Sequence, residues 1–278
     1  MELRRPESVE DAVAGLGDGA VALAGGTELV PLLRDGIVRA ETLVELARAV
    51  PRGIDGTRIG AGTTLAELEA STEVPDALRE ACRLAASPQL RAMGTIGGNL
   101  LQATRCWYWR LRFPCWLHGG ERCFARSGVH REHAIFGNDR CASAHPSDPA
   151  AALLALSATV VTDRRRLPIA ELYRLPTDDD RSTTTLARDE VVVELEVPSP
   201  EASTYLKAMD RQRWAFALVG VAAARFGGET RLGLAGVAPI PWMPAEAEAL
   251  EAATPLPGTA YKVELARVLI RRAVEAVR

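Results

Sequence analysis

The spacing of apolar residues divides the chain into two halves of different character. In the first half, a short apolar run at residues 21–24 predicts a buried strand, and helical spacing recurs at residues 7–16 and 75–87. In the second half, apolar runs predict consecutive strands at residues 191–198, 203–210, 215–226 and 230–241, with a hairpin turn at Gly227-Gly228. Helices are predicted near residues 244–253 and 260–277. Strands followed by helices indicate an α+β fold.

The polar segment at residues 173–189 contains an acidic run and predicts a solvated surface loop. We place a domain boundary near residues 165–190. Cys82 lies on the apolar face of the helix predicted at residues 75–87, which indicates a core cysteine.

Composition excludes several classes of protein. A hydrophobic fraction of 47% is enough for a sizeable core, and a net charge of −3 provides no basic surface for nucleic acid. No apolar run approaches the roughly 18–20 residues that span a bilayer. The N-terminus lacks the apolar segment of a signal peptide, so we expect a cytoplasmic protein, or a periplasmic one if a signal-bearing partner exports it.

Two glycine-rich stretches have the composition of phosphate-binding turns. Residues 24–29 read AGGTEL after the first apolar run, and residues 95–99 read TIGGN. A strand, a glycine turn and a helix N-terminus together expose backbone N–H groups and the positive end of a helix dipole. A tight turn that binds no ligand is the competing interpretation.

Four of the five cysteines and all four histidines lie between residues 94 and 148. The cysteines Cys106, Cys115, Cys123 and Cys141 follow the spacing Cys-x8-Cys-x7-Cys-x17-Cys, which contains none of the close pairs typical of structural zinc. A [4Fe–4S] cluster accepts thiolates from separate loop positions, and neighbouring aromatic residues would shield it. Zinc, free thiols and disulfides remain alternatives. The histidines have two interpretations: His118, His130 and His133 fit simple loop hydrogen bonding, whereas the position of His145 beside Ser147 and Asp148 suggests a residue that faces a bound ligand.

Taken together, the motifs AGGTEL, TIGGNL, HPSD and LKAMDRQRWAFALV resemble the FAD-binding medium subunit of the molybdenum hydroxylases. The resemblance covers residues 5–277. It is greatest to the subgroup with an inserted [4Fe–4S] loop, which includes periplasmic aldehyde oxidoreductase and 4-hydroxybenzoyl-CoA reductase.

This resemblance implies a fold and a domain organisation. A two-subdomain FAD-binding fold of the PCMH type would occupy residues 1–175, with subdomains at about 1–55 and 56–175 and an inserted Fe–S loop at 104–144. A C-terminal domain with an antiparallel sheet and helices would occupy residues 176–278.

The resemblance also implies the site residues. The pyrophosphate of FAD would be held by backbone N–H groups of two loops, and further residues would border the rest of the cofactor. The expected cofactor residues are Ala24, Gly25, Gly26, Thr27, Glu28, Leu29, Thr95, Gly97, Gly98, Asn99, His145, Asp148, Lys207 and Phe216. Glu28 is expected only to cap its helix. The expected cluster ligands are Cys106, Cys115, Cys123 and Cys141, and no catalytic side chain is expected.

The implied function is electron transfer within a larger oxidoreductase. A large subunit with the molybdenum cofactor would oxidise the organic substrate, and a small [2Fe–2S] subunit would pass electrons to FAD in this chain. The acceptor would be NAD⁺, oxygen, a quinone or a ferredoxin. The competing hypothesis is an interaction scaffold with a structural zinc or cluster and no flavin.

Overall fold

A parallel sheet forms the first structural unit of the computed structural model, which describes residues 1–244 and 249–278. Its strands have the order β1-β3-β2. The elements are β1 (Glu2–Arg4), α1 (Val9–Gly15), β2 (Ala20–Leu23), α2 (Leu29–Arg34) and β3 (Thr42–Glu45). The Ser8 side chain accepts a hydrogen bond from the Asp11 N–H and so caps α1. Helix α1 confirms the helix predicted at residues 7–16, and β2 confirms the strand predicted at residues 21–24.

A five-stranded antiparallel sheet and seven helices form the second unit. Its elements before the cysteine-rich segment are β4 (Ile54–Asp55), β5 (Arg58–Gly60), α3 (Leu65–Ala70), α4 (Asp76–Leu84), α5 (Pro88–Met93) and α6 (Ile96–Leu100). A short helix within that segment is α7 (Trp107–Arg110). The elements after it are α8 (Asp148–Ala155), β6 (Thr159–Thr162), β7 (Arg166–Pro168), α9 (Ile169–Leu172) and β8 (Val192–Glu196). The strand order is β4-β5-β8-β6-β7.

The third unit is a three-stranded antiparallel sheet covered by a long helix. Its elements are β9 (Ala202–Ala208), β10 (Val219–Phe226), β11 (Glu229–Ala235) and α10 (Tyr261–Ala276). Gly227 and Gly228 have φ values of 55° and 85°, which fit the turn of the predicted hairpin. The predicted α+β class, C-terminal antiparallel sheet and last helix are confirmed.

Three predictions about elements need correction. The strand predicted at residues 191–198 does not join the C-terminal sheet, because β8 pairs with β5 and β6. The helix predicted at residues 75–87 ends at Leu84, and Ala86 takes a φ of 53° that no helix accommodates. Residues 95–99 follow helix α5 and not a strand, and they form the N-cap and the first residues of α6.

The helix predicted near residues 244–253 falls partly on residues 245–248, outside the described part of the chain; residues Ala249–Ala252 form a 3-10 turn. Within the described part, no helix has the length and apolar character needed to cross a bilayer.

Buried apolar residues form three cores in the described part of the chain. The largest core lies between the second and third units, since Tyr205 and Ala222 of the third sheet belong to it, and it contains Cys82, which is fully buried on α4 as predicted. Burial raises the pKa of the Cys82 thiol well above its usual range.

Candidate functional site

The main cavity has a volume of about 400 Å³ and is lined by residues from all three units. This volume falls within the range of about 300–1,000 Å³ that is usual for small-molecule sites. All but one of the predicted cofactor residues line it: Ala24, Gly25, Gly26, Thr27, Glu28, Leu29, Thr95, Gly97, Gly98, Asn99, Asp148, Lys207 and Phe216. The structure therefore brings together residues that are up to 192 positions apart in the sequence (Ala24 to Phe216).

The first glycine loop connects β2 to α2 and leaves backbone donors open. Within residues 1–244 and 249–278, no intrachain hydrogen bond uses the backbone N–H of Gly25, Gly26, Thr27 or Glu28. Gly26 has a φ of 71°, which favours glycine. The arrangement is a cluster of unpaired N–H groups at a cavity wall, which suits an anionic ligand.

Gly25 is required for a different reason from the one that its motif suggests. A Cβ atom built there would lie 1.8 Å from the Met93 carbonyl oxygen, so any side chain would force the two glycine loops apart. Close packing of one loop against the other, and not only approach to a ligand, explains this glycine.

The second glycine loop uses most of its backbone donors within the chain. The N–H groups of Ile96 and Gly97 donate to the carbonyls of Thr63 and Ala61 at 2.8 and 3.0 Å. Those of Gly98 and Asn99 donate to the Thr95 side chain and carbonyl. Four N–H groups of this loop are therefore already engaged, in contrast to those of the first loop.

Asp148 and Lys207 form a buried ion pair in the cavity wall. The Lys207 ammonium donates to Asp148 Oδ2 at 2.7 Å and to the Leu84 carbonyl at 2.9 Å. Tyr205 donates to Asp148 Oδ1 at 2.5 Å, and burial beside this carboxylate raises the pKa of Tyr205 well above its usual range. Asp148 is also the first residue of α8, where the helix dipole favours a negative charge. Tyr205 was not predicted as a site residue.

His145 does not line the main cavity, although it was predicted to be a cofactor residue. Its ring is buried, its Nδ1 accepts from the Ser147 N–H at 3.3 Å, and it packs edge-on against Tyr173. Burial lowers the pKa of His145 to about 3, so the ring is neutral at physiological pH. His145 borders a smaller cavity of about 40 Å³ next to the main one.

Glu28 does not cap α2, contrary to the sequence-based expectation. Its carboxylate forms ion pairs with Arg105 at 2.8 Å and Arg110 at 2.5 Å, and it accepts from the Ala103 N–H at 3.1 Å. Glu28 therefore links the first glycine loop to the beginning of the cysteine-rich segment. Arg105 and Arg110 were not predicted as site residues, and only their position beside Cys106 hints at such a role.

Trp214 and Phe216 lie at the edge of the main cavity with large exposed fractions of 55% and 49%. Trp214 has a φ of 57°, which is unusual for a bulky residue. Two exposed aromatic side chains at a cavity mouth provide flat apolar surface for a planar ligand.

The four predicted cluster ligands line one small cavity in the cysteine-rich segment. Cys106, Cys115, Cys123 and Cys141 share its wall with Tyr108, Trp109, Trp116, Leu117, Phe124, Ala125 and Ser143. All four thiols are free, and burial raises the pKa of Cys106 to about 11. In the described part of the chain, no group of three or more His, Cys, Asp or Glu residues has the close spacing of ligands to a single metal ion. The four cysteines thus border one common space.

The histidines of this segment hold the loop together. His118 donates from Nε2 to the Trp109 carbonyl at 2.8 Å and stacks on the Trp109 ring. His130 donates from Nδ1 to the Ala125 carbonyl and accepts from the Gly258 N–H at Nε2. His133 lies 3.2 Å from the Cys106 sulfur. Loop hydrogen bonding explains the first two, whereas His133 contacts a predicted cluster ligand.

The loop at residues 173–189 packs on the cysteine-rich segment. The prediction of a solvated surface loop from its composition therefore needs correction. Arg181 donates to the Trp116 and Gly120 carbonyls and lies over the Trp116 ring. Asp178 accepts from Trp116 Nε1 at 3.0 Å. Both contacts fix the turn that follows Cys115.

Comparison with known proteins agrees with this geometry. Residues 1–200 match the family described as the FAD binding domain in molybdopterin dehydrogenase. The chain is 36% identical over 246 residues to the aldehyde oxidoreductase FAD-binding subunit PaoB of Escherichia coli (strain K12), covering 81% of this chain and 76% of that protein. It is 41% identical over 109 residues to the carbon monoxide dehydrogenase medium chain of Afipia carboxidovorans, covering 35% of this chain and 38% of that one.

The fold is also that of a chain in solved carbon monoxide dehydrogenase structures. A carbon monoxide dehydrogenase structure from Hydrogenophaga pseudoflava superimposes with a TM-score of 0.70 at 26% identity, covering all of this chain and 96% of that one. Fold and cavity together define an FAD-binding subunit of an oxidoreductase complex. The chain belongs to the family of FAD-binding medium subunits of the molybdenum hydroxylases.

Proposed function

We propose that this chain binds one FAD in the main cavity and passes electrons from substrate oxidation on a partner subunit to an external acceptor. The observation that carries the proposal is the first glycine loop, whose residues line a cavity shared by all three units and whose backbone N–H groups have no acceptor among the described residues. The bound flavin would supply the electron-carrying chemistry. The protein would hold and orient it.

The two glycine loops would contribute differently to FAD binding, because they differ in how many backbone N–H groups are free. The loop at residues 24–29 offers N–H groups for the pyrophosphate, and the loop at residues 95–99 supplies a rigid wall whose donors are mostly engaged. The Asp148–Lys207 pair, Trp214 and Phe216 border the remaining space. His145 would support this wall from behind through its contact with Ser147.

A substitution of Gly98 tests this placement without breaking the backbone. A Cβ atom at Gly98 would lie 3.1 Å from Thr95 Oγ1 and 3.8 Å from the Ala24 Cβ, both in the cavity wall. We expect Gly98→Val to reduce flavin content well below one per chain, measured by absorbance of released flavin against protein. Gly17→Val is the matched control, because a Cβ atom there meets nothing within 4 Å. Full flavin occupancy in Gly98→Val would contradict the placement.

We further propose that Cys106, Cys115, Cys123 and Cys141 ligate a [4Fe–4S] cluster, as in the subgroup with an inserted cluster loop. Support comes from the shared cavity, which all four cysteines line, and from the aromatic residues around it. A cubane cluster bound by four cysteine thiolates is a ligand set that this lining can supply.

Iron analysis of anaerobically purified protein tests the cluster. We expect about four irons per chain. Cys115→Ser should lower the iron content. Cys82→Ser should leave it unchanged, because Cys82 is fully buried and does not line the cysteine cavity. Stoichiometric zinc in place of iron, or equal iron loss in both variants, would contradict the assignment.

The same proposal includes the assembly and its location. Partners would be a large molybdenum-cofactor subunit and a small [2Fe–2S] subunit, with NAD⁺, oxygen, a quinone or a ferredoxin as acceptor. The cytoplasm is the proposed location, or the periplasm if a signal-bearing partner exports the complex. For the domain organisation, we propose an FAD-binding part that extends through β8, because β8 pairs with β5 and β6.

A further inference from the structure

Arg105 stands between the two proposed cofactor sites. Its side chain lines the main cavity, and the next residue, Cys106, lines the cysteine cavity. Both residues also border the smaller cavity that lies between these two. Consecutive Cα atoms are about 3.8 Å apart, so the two cavities are bordered by neighbouring residues of one short stretch of backbone.

On the side of the main cavity, Arg105 contacts three residues that line the wall, and one of these contacts is a hydrogen bond from its Nη2 to Gln102 Oε1 at 3.0 Å. Its guanidinium pairs with Glu28 of the first glycine loop at 2.8 Å. It also lies over the Phe216 ring, with 4.9 Å between the guanidinium carbon and the ring centroid. Its Nε is buried and has no partner among the described residues. The side chain is therefore held by contacts at its end and retains an unused donor.

On the side of the cysteine cavity, the chain around Arg105 is pinned at both ends of α7. Cys106 immediately precedes that helix, and its N–H donates to Thr104 Oγ1 at 3.2 Å. Arg110, the last residue of α7, donates to the Thr104 carbonyl and pairs with Glu28. Glu28 thus receives arginines from both ends of the turn that carries Cys106.

We propose that Arg105 is a positioning residue that couples metal loading at Cys106 to flavin binding in the main cavity. With Cys106 fixed by a cluster, Arg105 holds Glu28 and Phe216 in place, and the first glycine loop is preorganised for the flavin. Without the cluster, α7 is less constrained and the wall loosens. The inference rests on the proposed function, since it needs both cofactors, and the coupling must act equally in both directions.

The test compares FAD dissociation constants of the iron-loaded and iron-free full chain. For the unmodified protein we expect FAD to bind about 5–150-fold more tightly to the iron-loaded form, the usual range of coupling between sites. In Arg105→Gln this ratio should fall towards one while iron content stays unchanged. Arg105→Lys keeps the charge for Glu28 but loses the planar contact with Phe216, so it should restore only part of the ratio.

Arg122→Gln is the matched control. Arg122 lies in the same segment and over an aromatic ring, that of Phe124, but it does not line the main cavity. In Arg122→Gln, the ratio of FAD dissociation constants between the iron-free and iron-loaded forms should equal that of the unmodified protein. Glu28→Gln removes the partner of Arg105 instead of Arg105 itself. Glu28 contacts no cysteine, and in this variant the ratio of FAD dissociation constants should also fall towards one.

The outcomes separate failure of the coupling from failure of the proposed function. An iron-loaded Arg105→Gln or Glu28→Gln protein with the full ratio would overturn the coupling and leave both cofactors in place. Equal FAD dissociation constants for the iron-loaded and iron-free forms of the unmodified protein would also overturn the coupling. A protein that binds flavin but no iron would refute the cluster and the coupling together, and a protein without flavin would refute the proposed function itself.

Discussion

The buried pair of Asp148 and Lys207 shows how single residues maintain the cavity wall. Their side chains are only 3% and 1% exposed, so both charges have lost their water. Tyr205 and the Leu84 carbonyl provide the remaining hydrogen bonds. A pair buried in this way stabilises the fold only while it is complete, because a lone charge left in its place has no compensation.

Asp148→Asn should therefore destabilise the chain strongly. The substitution keeps the volume but leaves the Lys207 ammonium buried without a counter-charge, and we expect a loss of about 3–5 kcal/mol in the free energy of unfolding. Urea denaturation of flavin-free protein measures this loss without a contribution from ligand binding.

Asp189→Asn is the control for this substitution. Asp189 pairs with Arg164 at the surface, with 45% and 42% of the side chains exposed, so solvent screens the pair and its loss should change the free energy of unfolding little. Similar losses in the two variants would show that burial does not set the strength of the Asp148–Lys207 pair.

At this scale, motifs predicted which residues border the cavity but not what they contact. Asp148 and Lys207 were found through their motifs, yet their pairing joins positions 59 residues apart and depends on how β9 packs near α8. The error on His145 has a similar origin. Its neighbour Pro146 lines the cavity while His145 turns away, and no local pattern distinguishes the two directions.

At the scale of elements, the loop at residues 173–189 is a clamp on the cysteine-rich segment. Its charged composition suggested a fully solvated loop. The contacts of Arg181 could not be predicted, because its acceptors are backbone carbonyls, which every residue has. These carbonyls belong to the turn after Cys115, where a 3-10 helix ends at Gly119 with a φ of 93°. The clamp thereby steadies one of the predicted cluster ligands.

Removing the clamp should weaken retention of the cluster. Arg181→Ala leaves the Trp116 and Gly120 carbonyls without this donor and removes the cation over the Trp116 ring. We expect iron to be released to a chelator several-fold faster than from the unmodified protein, since about 1–3 kcal/mol of hydrogen bonding is lost. The exposed Arg188 of the same loop provides the control, Arg188→Ala. Equal release rates in the two variants would contradict the role of the clamp.

Strand β8 illustrates why element type is easier to predict than sheet membership. Its apolar run identified it as a strand, and its position before three further strands suggested that it belongs with them. In the structure Leu195 lies opposite both Ile59 and Val160, inside the largest core. The choice of neighbours depends on burial between distant segments, which hydrophobic spacing within one segment does not encode.

At the scale of the whole molecule, three sheets surround one cavity and a separate segment carries the cysteines. The fold class, the hairpin, the last helix and most cavity residues could be predicted, because each depends on local spacing or on a short motif. The ion pairs of Glu28 could not, because they join loops that meet only in the folded chain. Those pairs make the two proposed cofactor sites parts of a single arrangement.

With the proposed cofactors bound, this arrangement would carry electrons, whereas the sequence reveals no site for oxidation of an organic substrate. The five cysteines include no plant-type Cys-x4-Cys-x2-Cys spacing, and no stretch resembles a molybdopterin site. We therefore expect the flavin-loaded chain alone to show at most NADH-dependent dye reduction. Oxidation of an aldehyde or a purine should appear only after a molybdenum subunit and a [2Fe–2S] subunit are added. Gly98→Val, depleted of flavin, should fail to restore transfer to the acceptor in the same mixture. Substrate oxidation by the isolated, molybdenum-free chain would overturn its assignment as an electron-transfer subunit.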